Sequence, residues 1–561
     1  MQKIMVFSKI LFALFLLRSH HTIVLFYSFF VKTVAQRRIL SYNIFNNIFA
    51  GDDMKLNYKR TTLVGFAFFL ICLFWQAYDS TIPVLLTNKF GMSQTFSGIV
   101  MALDNILALF MLPFFGSLSD KSRSKYGKRT PFIVVGTVVA AVALICLTAV
   151  DAAQLRNISE VSKIDDPAAL ETLYEHQKDE TLMTPEGDKF VLSRQFTLEQ
   201  FTAIRSTVKD EQGKDVTNPD YTNYVAPARQ AYAWDKTVNN PGSLVLFVLL
   251  LLVVLLAMGT FRSPAVALMP DVTVKPLRSK ANAVINLMGT AGGILVLVMG
   301  TVFGTSKVKN ALMPYTLFYA IVAGLMLLSL AIFLLFVREP KWARQMQEDT
   351  VRLGIEDKEE DTSSRGKLGK TELKSLIFIL LSIALWYFGY NAVTSKYAVY
   401  AANVLNKDYN TTMLIAQGAA IVSYLPAGMI ATRFGRKKTI LGGIILLTAA
   451  FALAGFMRSG SPTLVMNLLF AAAGIGWATI NVNSFPMVVE MCSGADTGKY
   501  TGFYYTASMS AQIATPILSG FIMDKIGMTV LFPYAAVFVA CAFVTMLMVR
   551  HGDSKPRKTA K

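Results

Sequence analysis

Twelve predominantly apolar stretches of about 20 residues restrict what this chain can fold into. A stretch of that length allows a helix to cross the hydrocarbon core of a bilayer. Helices are the expected spanning form, because every backbone polar group must be paired within the membrane. The stretches are 61–86, 95–118, 131–150, 243–263, 281–304, 312–337, 373–395, 410–432, 439–457, 462–482, 500–523 and 529–549. The sequence therefore predicts an all-α, polytopic membrane protein with twelve transmembrane helices.

Features of the first half of the chain recur in the second half, 312 residues further along. Gly116-Ser-Leu-Ser-Asp120 opens a basic loop between two apolar stretches, and a shortened copy of this loop begins at Gly428. At the same offset, Trp75-Gln-Ala-Tyr-Asp79 corresponds to Tyr387-Phe-Gly-Tyr-Asn391. A glycine turn with a basic hairpin in each half is typical of transporters built from two repeats. We therefore predict two six-helix halves.

The net charge of +18 indicates topology rather than nucleic-acid binding. Segment 151–241 carries 16 acidic and 10 basic residues, so the excess positive charge lies elsewhere, in short loops and the tail. These basic residues are Lys121, Arg123, Lys125, Lys128, Arg129, Arg433, Arg436, Lys437, Lys438, Lys555, Arg557 and Lys558. If the chain crosses the membrane once with each helix, all of these basic residues lie on the same side. The positive-inside rule identifies that side as cytoplasmic. We expect a protein of the cell (plasma or inner) membrane with both termini cytoplasmic and no nucleic-acid partner.

The charge pattern also divides the chain into parts. They are a first half (54–337), a cytoplasmic linker (338–372), a second half (373–550) and a basic tail (551–561). Residues 1–53 are either an extra targeting or membrane-associated segment, or a misassigned start. We favour the misassigned start, because Met54-Lys-Leu-Asn-Tyr-Lys-Arg60 is a normal basic entry to a first helix.

A polar insert, 151–240, follows the third apolar stretch and faces outside on the same count. Asp166-Pro167 is a capping pair that predicts a helix over 168–178. Thr197 and Gln200 have capping-box spacing, which predicts a second helix over 197–207. We interpret the insert as a solvated decoration; the alternative is a cap over the outer vestibule.

Two acidic residues in membrane helices are candidates for proton coupling. Asp104 lies near the middle of the second helix, and Asp79 lies in the outer half of the first. A charged side chain in a membrane helix costs about 2.5–3.5 kcal/mol on insertion scales, and it usually faces a cavity or a partner. Desolvation disfavours the charged form of a carboxyl group, which suits a proton carrier. The alternative is a structural tie, and we hypothesise that Lys396 pairs with one of the two.

Amide and aromatic side chains on the first, second, seventh and tenth helices are candidates for binding a neutral, hydroxyl-rich ligand. Amides donate and accept hydrogen bonds, and aromatic rings offer flat apolar faces to sugar rings. The candidates are Trp75, Gln76, Tyr78, Asn105, Trp386, Tyr390, Asn391, Lys396, Asn481 and Asn483. The alternative is that they are interfacial aromatics and polar contacts between helices.

Charged residues in loops on the predicted cytoplasmic side are candidates for gating by ion pairs. They are Asp120, Arg129, Asp271, Arg278, Glu490, Arg433 and Arg436. Exposed pairs contribute only about 0–1 kcal/mol each, so only a network of them can bias two states. The alternative is ordinary positive charge in cytoplasmic loops.

Enzyme motifs are weak. Gly494-Ala-Asp-Thr-Gly-Lys-Tyr500 resembles a phosphate loop but is one residue short and ends in tyrosine. We expect neither an enzyme nor a cofactor or metal ion.

The loop sequences resemble the major facilitator superfamily, and more narrowly the plant sucrose–proton symporters with their animal and bacterial relatives. The resemblance rests on Gly116–Asp120 with Arg123-Ser-Lys-Tyr-Gly-Lys-Arg-Thr-Pro-Phe-Ile133, and on Arg262-Ser-Pro-Ala-Val-Ala-Leu-Met-Pro-Asp271 with Arg278-Ser-Lys-Ala-Asn-Ala283. Lys128 and Thr130 replace family arginines, and the insert is not a usual family feature. The resemblance implies the major-facilitator fold, alternating access, a glycoside substrate, a proton as driver, and gate positions at Asp120, Arg129, Asp271 and Arg278.

We therefore expect a monomeric secondary transporter that imports a maltose- or sucrose-like disaccharide with a proton. Within transport, the alternative is an exporter or uniporter of another organic solute. An alternative of a different class is a transport-dead receptor or scaffold that signals through the insert or the linker.

Overall fold

The computed structural model describes residues 56–551 apart from 210–212, 214, 275–276, 353–368, 490 and 492–496. The predictions for residues 1–53, for Glu490 and for nearly all of the basic tail lie outside the described residues. The first three long helices are α1 (Tyr58–Asn88), α2 (Gln94–Asp120) and α3 (Thr130–Asn157). Ser93 caps α2, since its side chain accepts a hydrogen bond from the Phe96 amide.

The insert follows α3 and combines short helices with two hairpins. Its elements are α4 (Pro167–Gln177), β1 (Thr181–Met183), β2 (Lys189–Val191), α5 (Leu192–Gln195), α6 (Leu198–Ala203), β3 (Thr207–Lys209), β4 (Asp215–Thr217), a π-helix (Tyr221–Val225) and α7 (Ala226–Asn239). β1 pairs antiparallel with β2, and β3 with β4. The two helices predicted from their caps are present: Asp166 caps α4, and Thr197 and Gln200 form a capping box at α6. The second helix ends at Ala203, earlier than predicted, because the chain then enters β3.

The first half continues with α8 (Gly242–Asp271), α9 (Arg278–Phe303) and α10 (Thr316–Phe336). A short polar helix, α11 (Glu339–Arg352), lies in the segment predicted as the linker. The second half contains α12 (Lys370–Tyr400), α13 (Tyr409–Phe434), α14 (Arg436–Ala454), α15 (Thr463–Val489), α16 (Thr497–Ile526) and α17 (Leu531–Leu547). α12 begins and ends 312 residues after α1, in line with the repeat in the sequence.

Each predicted apolar stretch coincides with one long helix among the described residues, and ten of these are long and apolar enough to cross a membrane. The other two, α13 and α16, are 26 and 30 residues long. The all-α fold is confirmed. The end of the bundle that carries the insert is called the insert side below, and the end that carries α11 is called the linker side.

The boundary between α3 and the insert differs from the prediction. Asp151 was expected to open the polar insert, yet α3 continues to Asn157 and Asp151 is buried. The reason is a buried ion pair, in which Lys89 Nζ lies 2.5 Å from Asp151 Oδ1. Lys89 also donates to the Met313 carbonyl at 2.7 Å, and Asp151 accepts from the Tyr315 amide at 3.1 Å. A paired carboxylate can remain inside the helix, so α3 does not end there.

The insert has a hydrophobic core of its own and rests on both halves. Its core includes Leu170, Phe190, Phe201 and Tyr221, and it takes in Leu312 from the connection between α9 and α10. Toward the first half, Gln230 Nε2 donates to the Met92 carbonyl at 2.9 Å. Toward the second half, the Met528 amide donates to the Pro185 carbonyl at 2.7 Å, and Glu186 lies 3.5 Å from Arg458. The insert therefore bridges the two halves at the insert side.

Candidate functional site

A cavity of about 330 Å³ lies among helices of both halves and is called the aromatic cavity here. α1 and α9 line it from the first half, and α12, α13, α14 and α15 line it from the second. Its aromatic lining residues include Trp75, Tyr390, Tyr424 and Trp477. The rings of Tyr390 and Trp477 are stacked, with centroids 3.6 Å apart and planes 4° from parallel. The volume of the cavity and its mostly apolar lining with a few polar groups are typical of a small-molecule site.

Hydrogen-bonding groups without a protein partner surround this cavity. Trp75 Nε1 and Gln76 Nε2 are buried donors in its lining for which the structure shows no acceptor. Gln76 Oε1 is satisfied, since it accepts from Gln417 Nε2 at 2.5 Å. A buried donor left unpaired costs about 1–3 kcal/mol. Two such donors beside flat aromatic faces suit a solute that is rich in hydroxyl oxygens.

A second, smaller cavity of about 180 Å³ holds the charged residues and is called the carboxylate cavity. Asp79, Asp104, Asn105, Arg262 and Asn391 line it. Asn105 Nδ2 donates to Asp104 Oδ1 at 2.7 Å, and the Arg262 guanidinium lies 5.3 Å from the centre of the Trp75 ring. Trp75 and Asp79 line both cavities, so a ligand in one cavity contacts residues of the other.

The carboxylate cavity contains two acidic residues and one basic residue among its described lining. Charged side chains inside a membrane protein pair with one another or face a cavity. Arg262 can balance one of the two carboxylates, which leaves the other uncompensated while both are ionised. One bound proton makes the group of three neutral. Asp79 and Asp104 are therefore a joint candidate for carrying the proton.

Several predicted binding residues lie outside both cavities. Trp386 is buried in the hydrophobic core of the second half. Tyr78 packs against Phe74 and Trp75, with ring centroids 6.0 and 5.5 Å away. Asn483 donates to the Thr479 carbonyl of its own helix at 2.8 Å. Asn481 hydrogen-bonds to the Tyr424 hydroxyl, and it reaches the aromatic cavity only through that side chain.

Lys396 does not pair with Asp79 or Asp104 in this structure, contrary to the hypothesis from the sequence. Its side chain is fully buried, and Nζ donates to the Gln94 carbonyl at 2.5 Å. The acidic residue whose charge acts on it is Asp524 of α16. Asp524 in turn accepts from the amides of Gln94 and Thr95 at 2.8 and 2.7 Å and from the Thr95 hydroxyl at 2.5 Å. Lys396 thus belongs to a cluster that joins α2 to the second half at the insert side.

A second cluster joins the halves on the same side. Asp408 accepts from Ser306 Oγ at 2.7 Å and from Thr301 Oγ1 at 3.3 Å. Asn410 Nδ2 donates to Thr305 Oγ1 at 3.0 Å, and the Tyr409 hydroxyl donates to the Ser80 carbonyl at 3.0 Å. The two clusters together join the two halves at the insert side.

The linker side contains a charged cluster centred on Arg129. Its guanidinium lies 2.7 Å from Asp271 Oδ2 and 2.5 Å from Asp120 Oδ1. Burial lowers the pKa of Arg129, but its hydrogen bonds to Asp271 and Asp120 outweigh burial, so the net direction is upward. Glu339 caps α3 by accepting from the amides of Arg129 and Thr130 at 2.9 and 2.8 Å. The cluster ties α2, the start of α3, α8 and α11 together, and among the described residues it does not bridge the two halves.

The other predicted gating residues lie apart from this cluster. Arg278 donates to the carbonyls of Thr273 and Pro270 at 3.1 and 3.0 Å, so it ties the end of α8 to the start of α9. Arg433 lies over the ring of Phe434, 5.5 Å from its centre. Arg436 begins α14 on the same side. Glu490, the proposed counterpart in the second half, lies outside the described residues.

A polar stripe on α9 leads from the aromatic cavity toward the linker side. Asn282 and Asn286 are exposed, Thr290 is half-buried, and Thr290 and Gly293 line the cavity. Successive members three or four residues apart share one face of a helix. The same helix is in contact with α13 at its other end, where a side chain on Gly300 would meet Asn410. We infer that the cavities face the linker side in this structure.

Arg262, Gln417 and Trp477 line the cavities but are not among the site residues predicted from the sequence. Arg262 was noted only as part of a loop motif, although it lies nine residues inside α8 from the Asp271 end. Gln417 is a lone amide in an apolar stretch, which is the same signal that identified Gln76. Trp477 lies within the aromatic cluster noted on the tenth helix, but Asn481 and Asn483 were chosen from it instead.

The sequence matches the family model described as Major Facilitator Superfamily over residues 64–158 and 379–561. The MFS-type transporter ppzB of Metarhizium rileyi is 27% identical over 123 residues, which are 22% of this chain and 25% of that protein. The sucrose transport protein SUC3 of Arabidopsis thaliana is 42% identical over 57 residues, 10% of each chain. The chain thus spans about a quarter of the length of the ppzB protein that it matches.

Solved transporter structures share the whole architecture. A D-xylose–proton symporter has a TM-score of 0.55 at 14% identity, over 88% of this chain and 98% of that one. The inward-open xylose transporter XylE of E. coli has a TM-score of 0.52 at 16% identity, over 88% and 97%. The nucleoside transporter NupG has a TM-score of 0.53 at 15% identity, over 88% and 100%. At these identities the likeness is one of fold. The chain has the fold of the major facilitator superfamily, and its sequence matches that family in both halves.

Proposed function

We propose that this transporter moves a neutral, hydroxyl-rich solute, of the maltose or sucrose type, together with a proton. The observation that carries the proposal is the sharing of Trp75 and Asp79 between the aromatic cavity and the carboxylate cavity. A sugar that occupies the first contacts Asp79, one of the two carboxylates that we assign to proton binding in the second. The short match to a sucrose transport protein and the fold shared with a D-xylose–proton symporter support the choice of solute.

Alternating access provides the mechanism. We infer that the insert side is closed in this structure, because the two clusters join the halves there. Solute and proton then leave or enter from the linker side. We assign the linker side to the cytoplasm because its loops are basic. A membrane potential of 100 mV supplies about 2.3 kcal/mol per proton moved inward, which supports roughly fifty-fold accumulation.

The test is external pH after maltose or sucrose is added to lightly buffered, de-energised cells that express the chain. We expect a transient alkalinisation that a protonophore abolishes. Asp104→Asn should abolish the alkalinisation while exchange of labelled sugar across the membrane persists. Asp188→Asn, at an exposed position in the insert, is the matched control and should behave like the parent chain.

The remaining outcomes would contradict the coupling ion, the solute or the role of Asp104. Entry of labelled sugar without a pH change indicates a uniporter or another coupling ion. Neither signal, with membrane expression verified, rejects the disaccharide. Loss of exchange as well as alkalinisation in Asp104→Asn assigns this residue to solute binding rather than to the proton.

A further inference from the structure

The space beneath the insert forms a third cavity, separate from the two described above. Its volume is about 330 Å³, equal to that of the aromatic cavity and within the range of small-molecule sites. The β1–β2 hairpin and α7 cover it, the connection between α1 and α2 forms one wall, and the end of α16 forms another. It is called the insert cavity below.

An unpartnered side chain in this cavity points to a ligand. Gln94 is only 3% exposed, it lines the cavity, and neither its amide nitrogen nor its amide oxygen has a partner. Leaving a buried donor and acceptor unpaired costs about 1–3 kcal/mol for each group. A bound molecule that both donates and accepts, as a hydroxyl group does, would satisfy the two atoms together.

The rest of the lining repeats the chemistry of the aromatic cavity. The amides of Asn88, Gln230 and Asn403 lie around it. Trp234 supplies an aromatic face, stacked on Phe96 with ring centroids 5.8 Å apart and planes 18° from parallel. The lining that the structure describes includes no lysine, arginine or histidine, so an anion finds no countercharge there. The carboxylate of Asp524 is already engaged by α2. These groups favour a neutral solute with several hydroxyl groups.

We propose that the insert cavity is a second binding site for a neutral, hydroxyl-rich solute, of the size of a mono- or disaccharide. The choice of solute rests on the proposed function, whereas the existence of the site rests on the cavity and on Gln94. Because Gln94 and Asp524 also hold α2 against the second half, a solute bound here contacts the cluster that closes the insert side. The site therefore exists in the closed state and lies on the path that a solute takes when that side opens.

The test uses alkylation protection on the full chain in nanodiscs of phosphatidylcholine and phosphatidylglycerol, which contain no sugar headgroup. Cys72, Cys146, Cys492 and Cys541 are first replaced by serine. Ala231→Cys then places a thiol in the lining of the insert cavity, and Val216→Cys on β4, an exposed position outside the lining, is the matched control. We expect maltose or sucrose to slow maleimide alkylation at position 231 at least threefold and to leave position 216 unchanged.

Two further variants separate this site from the aromatic cavity. Trp477→Ala removes a wall of the aromatic cavity and should leave the protection at position 231 intact. Gln94→Ala removes the unpartnered amide and should abolish it. Absence of protection by maltose, sucrose, xylose and mannitol overturns the proposal, and so does protection that disappears with Trp477→Ala. Uptake by the parent chain in proteoliposomes tests the proposed function independently, so the two failures are distinguishable.

Discussion

At the scale of single residues, the pair of Lys89 and Asp151 has the clearest energetic consequence. Both side chains are buried, at 0% and 2% exposure. The two charges neutralise each other. Lys89 also donates to the Met313 carbonyl, and Asp151 also accepts from the Tyr315 amide. Removing one partner of a buried pair leaves the other charge uncompensated, which costs about 3–5 kcal/mol.

We therefore predict that Lys89→Met destabilises the chain by about 3–5 kcal/mol, measured as thermal unfolding in detergent. The matched control is Lys236→Met, which breaks the exposed pair with Glu160 and should cost at most about 1 kcal/mol. Replacing both members, with Lys89→Met and Asp151→Leu, should recover part of the loss. Equal stability of Lys89→Met and Lys236→Met would contradict the prediction.

Polar residues in membrane helices predicted the cavity linings better than aromatic residues did. Asp79, Asp104 and Gln76 lie in the cavity linings, because a polar group in an apolar helix needs a cavity or a partner. Tyr78 and Trp386 do not, because an aromatic residue fits a packed core equally well. The partner of Lys396 could not be predicted, since the backbone carbonyl of Gln94 lies 302 residues away. Sequence shows that a group needs a partner, but the fold decides which one.

At the scale of elements, two glycines set how closely α2 approaches α16. A Cβ on Gly520 would lie 2.2 Å from the Gln94 carbonyl oxygen, and one on Gly98 would lie 2.1 Å from that of Pro516. Ordinary contacts are about 3.5–4.0 Å, so any side chain there forces the two helices apart. These contacts lie beside the cluster of Lys396 and Asp524 that closes the insert side.

We predict that Gly520→Ala weakens the closed state by about 1–3 kcal/mol, the usual effect of overpacking. A cysteine at position 512 in the carboxylate cavity should then react faster with an impermeant maleimide added from the insert side. Gly502→Ala is the matched control, because it lies on the same helix and its Cβ meets open space. An unchanged rate in Gly520→Ala would show that this contact does not hold the closed state.

The sequence predicted helices correctly where a single pattern, an apolar stretch or a side-chain cap, identifies them. Apolar stretches identified all the long helices, and side-chain caps identified α4 and α6. The hairpins of the insert were missed, because each strand has three residues and carries too little alternation to be recognised. The predicted end of α3 was wrong because an acidic residue normally ends an apolar stretch. Asp151 stays inside because it pairs with Lys89 and the Tyr315 amide, both distant in the sequence.

At the scale of the whole molecule, the insert connects parts that alternating access must separate. It contacts the first half at Met92 and the second half at Met528 and Arg458. Opening the insert side requires at least one set of these contacts to break. The exposed pair of Glu186 and Arg458 contributes little energy by itself, but it marks a position where a covalent link would prevent the separation.

We predict that a short, reducible bifunctional thiol reagent across Glu186→Cys and Arg458→Cys lowers sugar uptake at least tenfold, and that reduction restores it. The matched control is a link across Glu160→Cys and Lys236→Cys, since both positions lie within the insert. That link should leave uptake unchanged. Normal uptake by fully cross-linked Glu186→Cys/Arg458→Cys protein would mean that the insert moves with the second half as one body.

The core of the insert also bears on how the chain can be divided. Leu312 belongs to that core, although it lies 72 residues beyond Asn240 in the sequence and on the far side of α8 and α9. A fragment of residues 158–240 would lack Leu312, so water would reach the part of the insert core that this side chain fills. Soluble expression of the excised segment should therefore give a loosened, aggregation-prone product. If the insert is to be used as an antigen in its native conformation, it must therefore include the connection between α9 and α10, which carries Leu312.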